Sequence, residues 1–522
     1  MTSDVRAQVL PAAPSAAASA TRIALAVLYA LVVLRCAWVS DDAFITLRTV
    51  DNLVHGLGAT WNPAERVQAY THPLWMLLLT AGYSVWPSAW GVALALSLAL
   101  SFATVVLLAR VAGGTPGRTA LALALLALSR SYVDYSTSGL ENPLTHLLIV
   151  AFAARLVAPG EGAARLRWLS VIAGLGALNR LDTLLIFLPA LALEAWRCRA
   201  VPVRTRLGTL ALGFLPLVLW ELFSLVYYGS LVPNTAYAKL GTGLGAGELA
   251  LQGLRYLTSS ALYDPAGALV LCVGLLLALL RGRRTPLAPL ALGGLLYLGY
   301  TVRVGGDFMA GRFLAAPLLC AVLALCTLER EPVARSALLL VVTALGLSLA
   351  LDASPLTRGA ADAASGHIME VNGYGVADER SFYFTGTGLF REDGAYGVDH
   401  PWNDRGMLMQ QRGVSLAVLG NIGFAGYAAG PHTHIVDPLG LADPLLSRLP
   451  TAPGEWRVGH YVRDIPAGYL ESLEHGRNEV RDPSVAALWD CVSRVTRGPL
   501  FTRERWVAIW RLNTGGCRAP GA

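Results

Sequence analysis

The sequence predicts a mostly α-helical membrane protein, a polytopic helical bundle of about eleven spans followed by a C-terminal extracytoplasmic α/β domain. Three observations favour this class. Hydrophobic residues make up 54% of the 522 residues and charged residues only 15%, whereas soluble domains average about 25% charged residues. Apolar runs of near-spanning length recur through residues 1–351 and end there. The net charge divides at the same point, from +9 (25 Lys and Arg against 16 Asp and Glu) to −3 (16 against 19).

Residues 1–20 are rich in Ala, Pro and Ser, which predicts a short disordered cytoplasmic tail. The apolar run after Arg22 fits an uncleaved first span better than a signal peptide, because about 17 residues suffice to cross the hydrocarbon core. This run is part of residues 21–351, which form the predicted transmembrane domain. The eleven predicted spans are 22–39, 88–110, 118–132, 142–158, 166–179, 181–196, 207–228, 264–281, 286–303, 312–328 and 333–351.

One further apolar segment, residues 73–86, is too short to span and is predicted to be an interfacial or re-entrant helix. The positive-inside rule supports leaving it out. With the N-terminus inside, every cytoplasmic connection carries Arg. If residues 73–86 crossed the membrane, the connection with four Arg would lie outside. The five connections are 110–118, 155–167, 197–206, 281–284 and 330–335.

An odd number of spans places residues 352–522 outside as a second domain. Its short apolar runs at 414–419 and 434–436, separated by Gly and Asp-Pro, favour a mixed α/β fold. Cys491 and Cys517 both lie in this domain, where either a disulfide or two free thiols is consistent with the sequence. The remaining outer segments are 40–72, 133–141, 179–182, 229–263 and 304–311. They hold nine of the 16 Asp and Glu residues of positions 1–351, including the acidic pair at 41–42, so we expect the chemistry on the outer face.

The first candidate site is the acidic pair Asp41-Asp42, directly after the first span. Adjacent carboxylates at a membrane surface are costly unless something binds them. One could accept the proton of an attacking hydroxyl while the other orients it. Capping of the next helix by one of them is an alternative reading. A divalent cation, Mg²⁺ or Mn²⁺, held by the pair is also left open.

Polar and aromatic residues in the next outer segments suggest a sugar and phosphate site. Tyr70 and Trp75 are candidates for sugar or acceptor binding, or plain interfacial anchors. His72 is a candidate phosphate ligand, or a packed residue at a helix start. Glu141 is a candidate acceptor ligand, and Arg180 a candidate phosphate ligand, although an ion pair of Arg180 with Glu141 or Asp182 is equally consistent.

Lys239 is the only lysine of the chain, and it lies outside, against the positive-inside trend. A phosphate partner explains that position, since a compact ammonium suits phosphate; snorkelling at the interface is the alternative. Asn234 and Tyr237 precede it and are candidate acceptor ligands.

A Gly-Gly turn before Asp307, followed by Arg312 at a helix start, offers backbone N–H groups and a guanidinium to a phosphate. Together these motifs combine carboxylates for base chemistry with cations for a phosphate leaving group. They face a compartment without a nucleotide pool, so the donor must come from the membrane. Nucleic acid is not a candidate partner.

These motifs resemble a known family. An acidic pair after the first span, an interfacial helix, many spans and an outer domain look like the GT-C class of membrane glycosyltransferases. More closely, the chain is similar to the AftB-like terminal arabinofuranosyltransferases of the mycobacterial cell wall. The segments that carry this likeness are DDAFITLR (41–48), NPAERVQAYTHPLW (62–75), PNTAYAK (233–239), GGDFMAGR (305–312), GYAAGPHTHIVDPLGLADPLLSRLP (426–450) and GHYVRDIPAGY (459–469).

The resemblance implies a multi-pass protein of the bacterial inner (plasma) membrane, with its active site facing the periplasm or exterior. It implies a polyprenyl-phosphate arabinofuranose donor, a cell-envelope glycan or protein acceptor, and an Asp41-Asp42 catalytic base. A hexosyl or mannosyl donor is an alternative, as are a transporter and a non-catalytic membrane protein such as a flagellar-motor control factor. The span interiors are nearly free of charge and the polar motifs cluster at one face, which disfavours transport.

Overall fold

The computed structural model describes residues 16–112, 115–160, 162–282, 285–328, 333–351, 353–357, 369–454 and 456–517. Most of the tail predicted for residues 1–20 therefore lies outside the described residues, as do parts of four predicted cytoplasmic connections and the predicted domain boundary at 351/352. The first helix begins at Ala16, so the predicted tail is wrong for residues 16–20. Their Ala-rich sequence has high helix propensity, which explains the earlier start.

The N-terminal domain is a bundle of helices. In chain order they are α1 (Ala16–Arg35), α2 (Asp41–Val54), α3 (Pro73–Val85), α4 (Ala89–Val111), α5 (Pro116–Ala127), α6 (Arg130–Asp134), α7 (Asn142–Val157), α8 (Ala163–Asn179), α9 (Leu184–Arg197), α10 (Val203–Gly213), α11 (Leu215–Tyr227), α12 (Asn234–Leu240), α13 (Ala246–Tyr263), α14 (Pro265–Leu280), α15 (Ala288–Arg303), α16 (Ala315–Cys326) and α17 (Val333–Ala350).

Each of the eleven apolar runs contains a helix, but most of these helices are short. One described helix, α4, is long and apolar enough to cross a membrane, and the number rises to three if each of two bent helix pairs counts as one span. The pairs are α10–α11, bent by 58°, and α13–α14, bent by 114°. A span needs about 20 residues, and the number of eleven therefore stays a prediction.

The outer segment 229–263 is more ordered than a loop, since it contains α12 and the 18-residue α13. Helix α13 alternates exposed Leu251 and Leu254 with buried Gln252 and Tyr256. This mixed pattern lacks a continuous apolar run and so gave no span signal.

The C-terminal domain consists mainly of helices and loops in its described residues. The short runs at 414–419 and 434–436 contain its two strands, which pair in parallel with Ala417 opposite Ile435. Cys491 forms a disulfide with Cys517, which follows the end of the last helix at Thr514. Its elements are α18 (Glu379–Thr387), α19 (Pro401–Gln411), β1 (Leu416–Val418), α20 (Phe424–Ala428), β2 (His434–Val436), α21 (Tyr469–His475), α22 (Pro483–Arg497) and α23 (Arg503–Thr514).

The C-terminal domain is bound to the first outer segment by buried polar contacts. Arg48 of α2 donates to the carbonyl oxygens of Gly426 (2.5 Å) and Thr433 (2.8 Å), and its guanidinium lies over the ring of Trp61. The side chain of Asn62 exchanges hydrogen bonds with the backbone of Ile435 (3.0 and 3.1 Å). These bonds satisfy groups that are costly to bury alone, and they fix the domain over the start of α2.

Candidate active site

The acidic pair occupies the first turn of α2, whose cap is Ser40. The Ala43 N–H donates to the Ser40 hydroxyl (3.3 Å), so neither Asp caps the helix and the capping alternative is wrong. Both carboxylates lie at the positive end of the helix dipole, which favours negative charge there. Their side chains nevertheless have different surroundings.

Asp41 is buried and bonded to the C-terminal domain. Its two carboxylate oxygens accept the N–H groups of Phe424 (2.7 Å) and Gly423 (3.1 Å). Burial raises the pKa of Asp41 to about 7, against the lowering effect of these bonds. Because both oxygens already have donors, Asp41 is suited to positioning the loop before α20.

Asp42 accepts no hydrogen bond from any residue that the structure describes, and its side chain borders a cavity. Burial raises its pKa above the usual range; Lys239 and Arg312 act against that rise, and Asp307 and Glu141 add to it. Asp42 is thus the carboxylate of the pair with free acceptor capacity, in a field set by nearby cations.

Glu141 is the centre of a buried ionic cluster. Its carboxylate accepts from Arg180 (2.8 Å) and from Arg312 (3.1 and 3.3 Å), and it lies 3.3 Å from His72 Nδ1. Its side chain is 0% exposed and borders neither cavity described below. Burial alone would raise the pKa of Glu141, but Arg312, His72 and Arg180 outweigh burial and hold that pKa well below its usual range. This glutamate therefore holds the two arginines, rather than contacting an acceptor as the sequence suggested.

His72 is also part of this support. Its Nε2 pairs with the Thr46 hydroxyl of α2 (2.8 Å), and burial lowers its pKa to about 4. A neutral, buried imidazole that connects α2 to Glu141 does not fit the predicted phosphate contact.

The two arginines border the first cavity, which we call the arginine cavity, of about 290 Å³. Arg180 also forms a bidentate pair with Asp182 (2.8 and 2.9 Å), and Arg312 contacts Asp307 (3.4 Å). Lys239 completes the polar end. The other wall is apolar, and it reaches exposed leucines at Leu231 and Leu240. The cavity therefore joins a polar end, in which the arginines are paired with Asp182 and Asp307, to an apolar surface.

The second cavity, of about 300 Å³, is called the aspartate cavity. Its floor is Asp41 and Asp42 from α2, with Phe308 and Lys239 at one side. Lys239 and Gly459 border both cavities, so the cavities meet at this lysine. The ammonium of Lys239 makes no ion pair or hydrogen bond with the described residues, and its Nζ lies 5.8 Å from the centroid of the Phe308 ring.

Four predicted sugar or acceptor residues border neither cavity. Tyr70 bonds the Tyr228 hydroxyl (2.9 Å) and Trp75 donates to Gly139 O (3.0 Å), both inside the core. Asn234 donates to the carbonyl oxygens of Gly440 (2.8 Å) and Asp443 (3.0 Å), and Tyr237 bonds the Ser230 hydroxyl (2.9 Å). The bonds of Asn234 hold the start of α12, and hence Lys239, against the C-terminal domain.

The groups that the C-terminal domain adds to the aspartate cavity were not predicted from the sequence. Three of them are ionisable: Glu379, Arg457 and His460. Only His460 lies within a segment that carried the family resemblance (459–469). The charged triplet 378–380 was the one available signal for Glu379, and nothing in the sequence connected it to Asp42.

The described residues do not fit a metal ion at the acidic pair. They contain no group of three or more His, Cys, Asp or Glu arranged to hold one, and the oxygens of Asp41 are engaged by backbone N–H groups. Lys239 and the arginines supply the positive charge that a divalent cation would otherwise bring.

Comparison with curated proteins gives two relatives of one kind. The terminal β-(1→2)-arabinofuranosyltransferase of Mycobacterium tuberculosis is 33% identical over 408 residues, covering 67% of this chain and 63% of the relative. That of Corynebacterium glutamicum is 30% identical over 522 residues, covering 81% of this chain and 72% of the relative. No protein-family model matches the sequence.

The class that the site and these relatives define is the glycosyltransferases. The chain belongs to the family of terminal β-(1→2)-arabinofuranosyltransferases, and the expected family resemblance is confirmed. The chain spans 63% of the length of the mycobacterial relative.

Two solved structures are also similar. ArnT from Cupriavidus metallidurans bound to undecaprenyl phosphate aligns with a TM-score of 0.49 and 11% identity, covering 81% of this chain and 86% of that one. The Archaeoglobus fulgidus oligosaccharyltransferase, in a complex with zinc and sulfate, aligns with a TM-score of 0.42 and 14% identity, covering 79% and 62%.

Proposed function

We propose that this protein transfers an arabinofuranosyl group from a polyprenyl-phosphate donor to a cell-envelope acceptor, on the outer side of the bacterial inner membrane. The observation that carries the proposal is the meeting of the two cavities at Lys239. One cavity offers cations and an apolar wall, and the other offers Asp42. A phosphate-linked lipid and a hydroxyl acceptor can thus approach one point from two sides.

The arginine cavity suits the donor. A polyprenyl chain would lie along the apolar wall that ends at Leu231 and Leu240, whose exposed side chains face where lipid is expected. The phosphate would lie near Lys239, Arg312 and Arg180. Glu141 fixes both arginines, so their orientation is set before the donor arrives, which is the condition for effective electrostatic stabilisation.

The aspartate cavity suits the attack. The acceptor hydroxyl oxygen forms a bond to the anomeric carbon while its proton passes to the Asp42 carboxylate. The bond between that carbon and the phosphate oxygen breaks, and its electron pair leaves with the polyprenyl phosphate. Lys239 lies between the two cavities and would neutralise the charge that grows on the leaving phosphate. A single displacement of this kind inverts the anomeric configuration.

The test is an assay of the purified full chain with an arabinofuranose oligosaccharide as acceptor and synthetic polyprenyl-phosphate sugars as donors, one arabinofuranosyl and others hexosyl, including mannosyl. We expect release of polyprenyl phosphate from the arabinofuranosyl donor. The matched control is Asp42→Asn, which keeps the size of the side chain and removes the base, and whose rate should fall about 10²–10⁴-fold.

Two outcomes would change this conclusion. Release from a hexosyl donor alone would redirect the donor assignment. Absence of release from every donor, with a correctly folded sample, would reject the transferase reaction.

A further inference from the structure

The far wall of the aspartate cavity is made by the C-terminal domain. Helix α18 contributes Glu379 and Tyr383, α19 contributes Trp402, and the segment after Trp456 contributes Arg457 and His460. These residues face Asp42 across the cavity, and none of them borders the arginine cavity. They stand where the second substrate of a two-substrate reaction would have to bind.

Glu379 is an unusual carboxyl. It is 3% exposed and accepts no hydrogen bond from the described residues. Burial raises the pKa of Glu379 well above its usual range; Asp42, Asp307 and Asp41 add to the rise, and Arg457 opposes it. A neutral carboxyl can donate a hydrogen bond, which an ionised one cannot.

Arg457 adds an unsatisfied donor to the same wall. Its Nε donates to Gly375 O (2.8 Å), while its Nη2 is buried and has no hydrogen-bond partner among the described residues. A buried donor without a partner costs about 1–3 kcal/mol, so such an atom commonly marks a place where a ligand or water binds. His460, with its ring against Phe308 at 4.4 Å, closes the cavity beside it.

We propose that this wall is the acceptor site, and that it binds an uncharged, polyhydroxylated glycan end through Glu379 and Arg457. The proposal rests on the proposed transferase function and adds the residues and the class of acceptor. Hydroxyl groups both donate and accept, which matches a cavity that offers the acceptor Asp42 together with the donors Arg457 and Lys239. The ring of Trp402 gives the apolar face of a sugar a surface to pack on.

Charge disfavours the other acceptors. The Asp42 carboxylate would repel a phosphorylated acceptor. The cations of Arg457 and Lys239 would repel an amine-bearing acceptor. The volume of about 300 Å³ lies at the small end of ligand pockets, which span about 300–1,000 Å³. This volume fits the end of a chain better than an extended segment.

In this arrangement Glu379 and Arg457 are specificity-determining residues that orient the acceptor. They donate to acceptor oxygens so that one neighbouring hydroxyl points at Asp42. Glu379 transfers no proton in the reaction, so its amide isostere should replace it.

The experiment measures two reactions of the full chain with the same arabinofuranosyl donor. One is transfer to a methyl-capped arabinofuranose trisaccharide, and the other is slow hydrolysis of the donor by water. Variants are Glu379→Ala, Glu379→Gln and Arg457→Gln, with Arg405→Ala on the exposed side of α19 as the matched control.

We expect Glu379→Ala and Arg457→Gln each to raise the KM for the trisaccharide about tenfold, the loss of about one hydrogen bond. Donor hydrolysis should fall less than transfer in these two variants, and Glu379→Gln should raise the KM less than Glu379→Ala. Arg405→Ala, whose side chain is exposed on α19, should leave both reactions unchanged. This split between transfer and hydrolysis separates a binding role from a structural one.

Three results would overturn the proposal: an unchanged trisaccharide KM in Glu379→Ala and Arg457→Gln; loss of both reactions in Glu379→Gln; or preference of the wild type for a hydroxyl-bearing peptide over the trisaccharide. If the wild type turns over no donor at all, the proposed transferase function fails instead, and the two failures are thus distinguishable.

Discussion

At the scale of single residues, the structure separates two adjacent carboxylates that the sequence leaves equivalent. Asp41 gives both oxygens to the backbone of the loop before α20, whereas Asp42 borders the aspartate cavity. The side chain of Asp42 is therefore available for proton transfer, and that of Asp41 holds the cavity wall. A sequence cannot make this distinction, because it depends on backbone atoms more than 380 residues away.

The first prediction compares Asp41→Asn with Asp42→Asn. In Asp41→Asn the new amide nitrogen meets a backbone N–H donor, so we expect loss of one or both bonds and a lower free energy of unfolding, by about 1–3 kcal/mol. Asp42→Asn breaks no bond among the described residues and should keep the wild-type Tm while losing transfer. Thermal unfolding in detergent and the donor-release assay measure both; equal Tm values for the two variants would contradict the assigned roles.

The second prediction concerns the pH dependence set by Lys239. Asp42 must be ionised to accept a proton, so activity falls as the pH drops through its pKa, which burial raises and which Lys239 and Arg312 lower. Removing the ammonium in Lys239→Met raises this pKa further and should move the acidic limb of kcat/KM to higher pH. Lys239→Arg keeps the charge and should leave the limb near its wild-type position. A limb that moves to lower pH in Lys239→Met would show that the lysine does not act on Asp42.

At the scale of elements, the segments that carry the family resemblance contact one another. Arg48 in DDAFITLR bonds Gly426 and Thr433, and Asn62 bonds Ile435. The motif residues thus divide into groups that line the cavities and groups that join α2 to the C-terminal domain. Asn234 likewise joins α12 to the C-terminal domain, whereas Tyr70 and Trp75 bond Tyr228 and Gly139 within the N-terminal bundle.

The third prediction tests the closest contact between these elements. A Cβ at Gly423 would lie 1.9 Å from Asp41 O, so a side chain there must displace the loop that bonds Asp41. We expect Gly423→Ala to lower the free energy of unfolding by about 1–3 kcal/mol and to reduce transfer. Gly373→Ala, where nothing lies within 4 Å of the new Cβ, is the control. Wild-type unfolding and activity in Gly423→Ala would contradict the contact.

Much of the helical architecture can be predicted from the apolar runs, because burial in a bundle or in lipid demands continuous apolar sequence. Helix α13 could not be predicted in this way, since its apolar residues are interrupted by buried polar residues such as Gln252. Five residues could be placed near the site because they are charged side chains beside predicted spans: Asp42, Lys239, Asp307, Arg312 and Arg180. Glu379 and Arg457 could not, because their position depends on how the C-terminal domain docks.

At the scale of the whole molecule, the predicted cytoplasmic connections lie beside one another. Arg118 donates to Leu328 O (3.4 Å) and Thr285 pairs with Thr327 (2.7 Å), which joins the connections near 110–118, 281–284 and 330–335. Arg165 pairs with Glu194 (3.8 Å), and Arg206 donates to Ala195 O (3.0 Å), which joins the other two. The acidic pair and the C-terminal domain meet at a different set of segments. That these segments lie on opposite sides of the membrane stays a prediction from the arginine distribution.

The last prediction tests these two faces by labelling. Arg199→Cys and Arg412→Cys place exposed cysteines in a predicted cytoplasmic connection and in the C-terminal domain, respectively. The background is Cys272→Ser, because the other free cysteines are buried and Cys491 and Cys517 are joined. In spheroplasts with an intact inner membrane, an impermeant maleimide should label Arg412→Cys at once and Arg199→Cys only after permeabilisation. The reverse order would place the active site on the cytoplasmic side, where a nucleotide sugar could serve as donor. The main physical reason for a polyprenyl-phosphate donor would then be lost. The proposed roles of Asp42 and Lys239 in transfer from such a donor therefore depend on the orientation of the whole molecule.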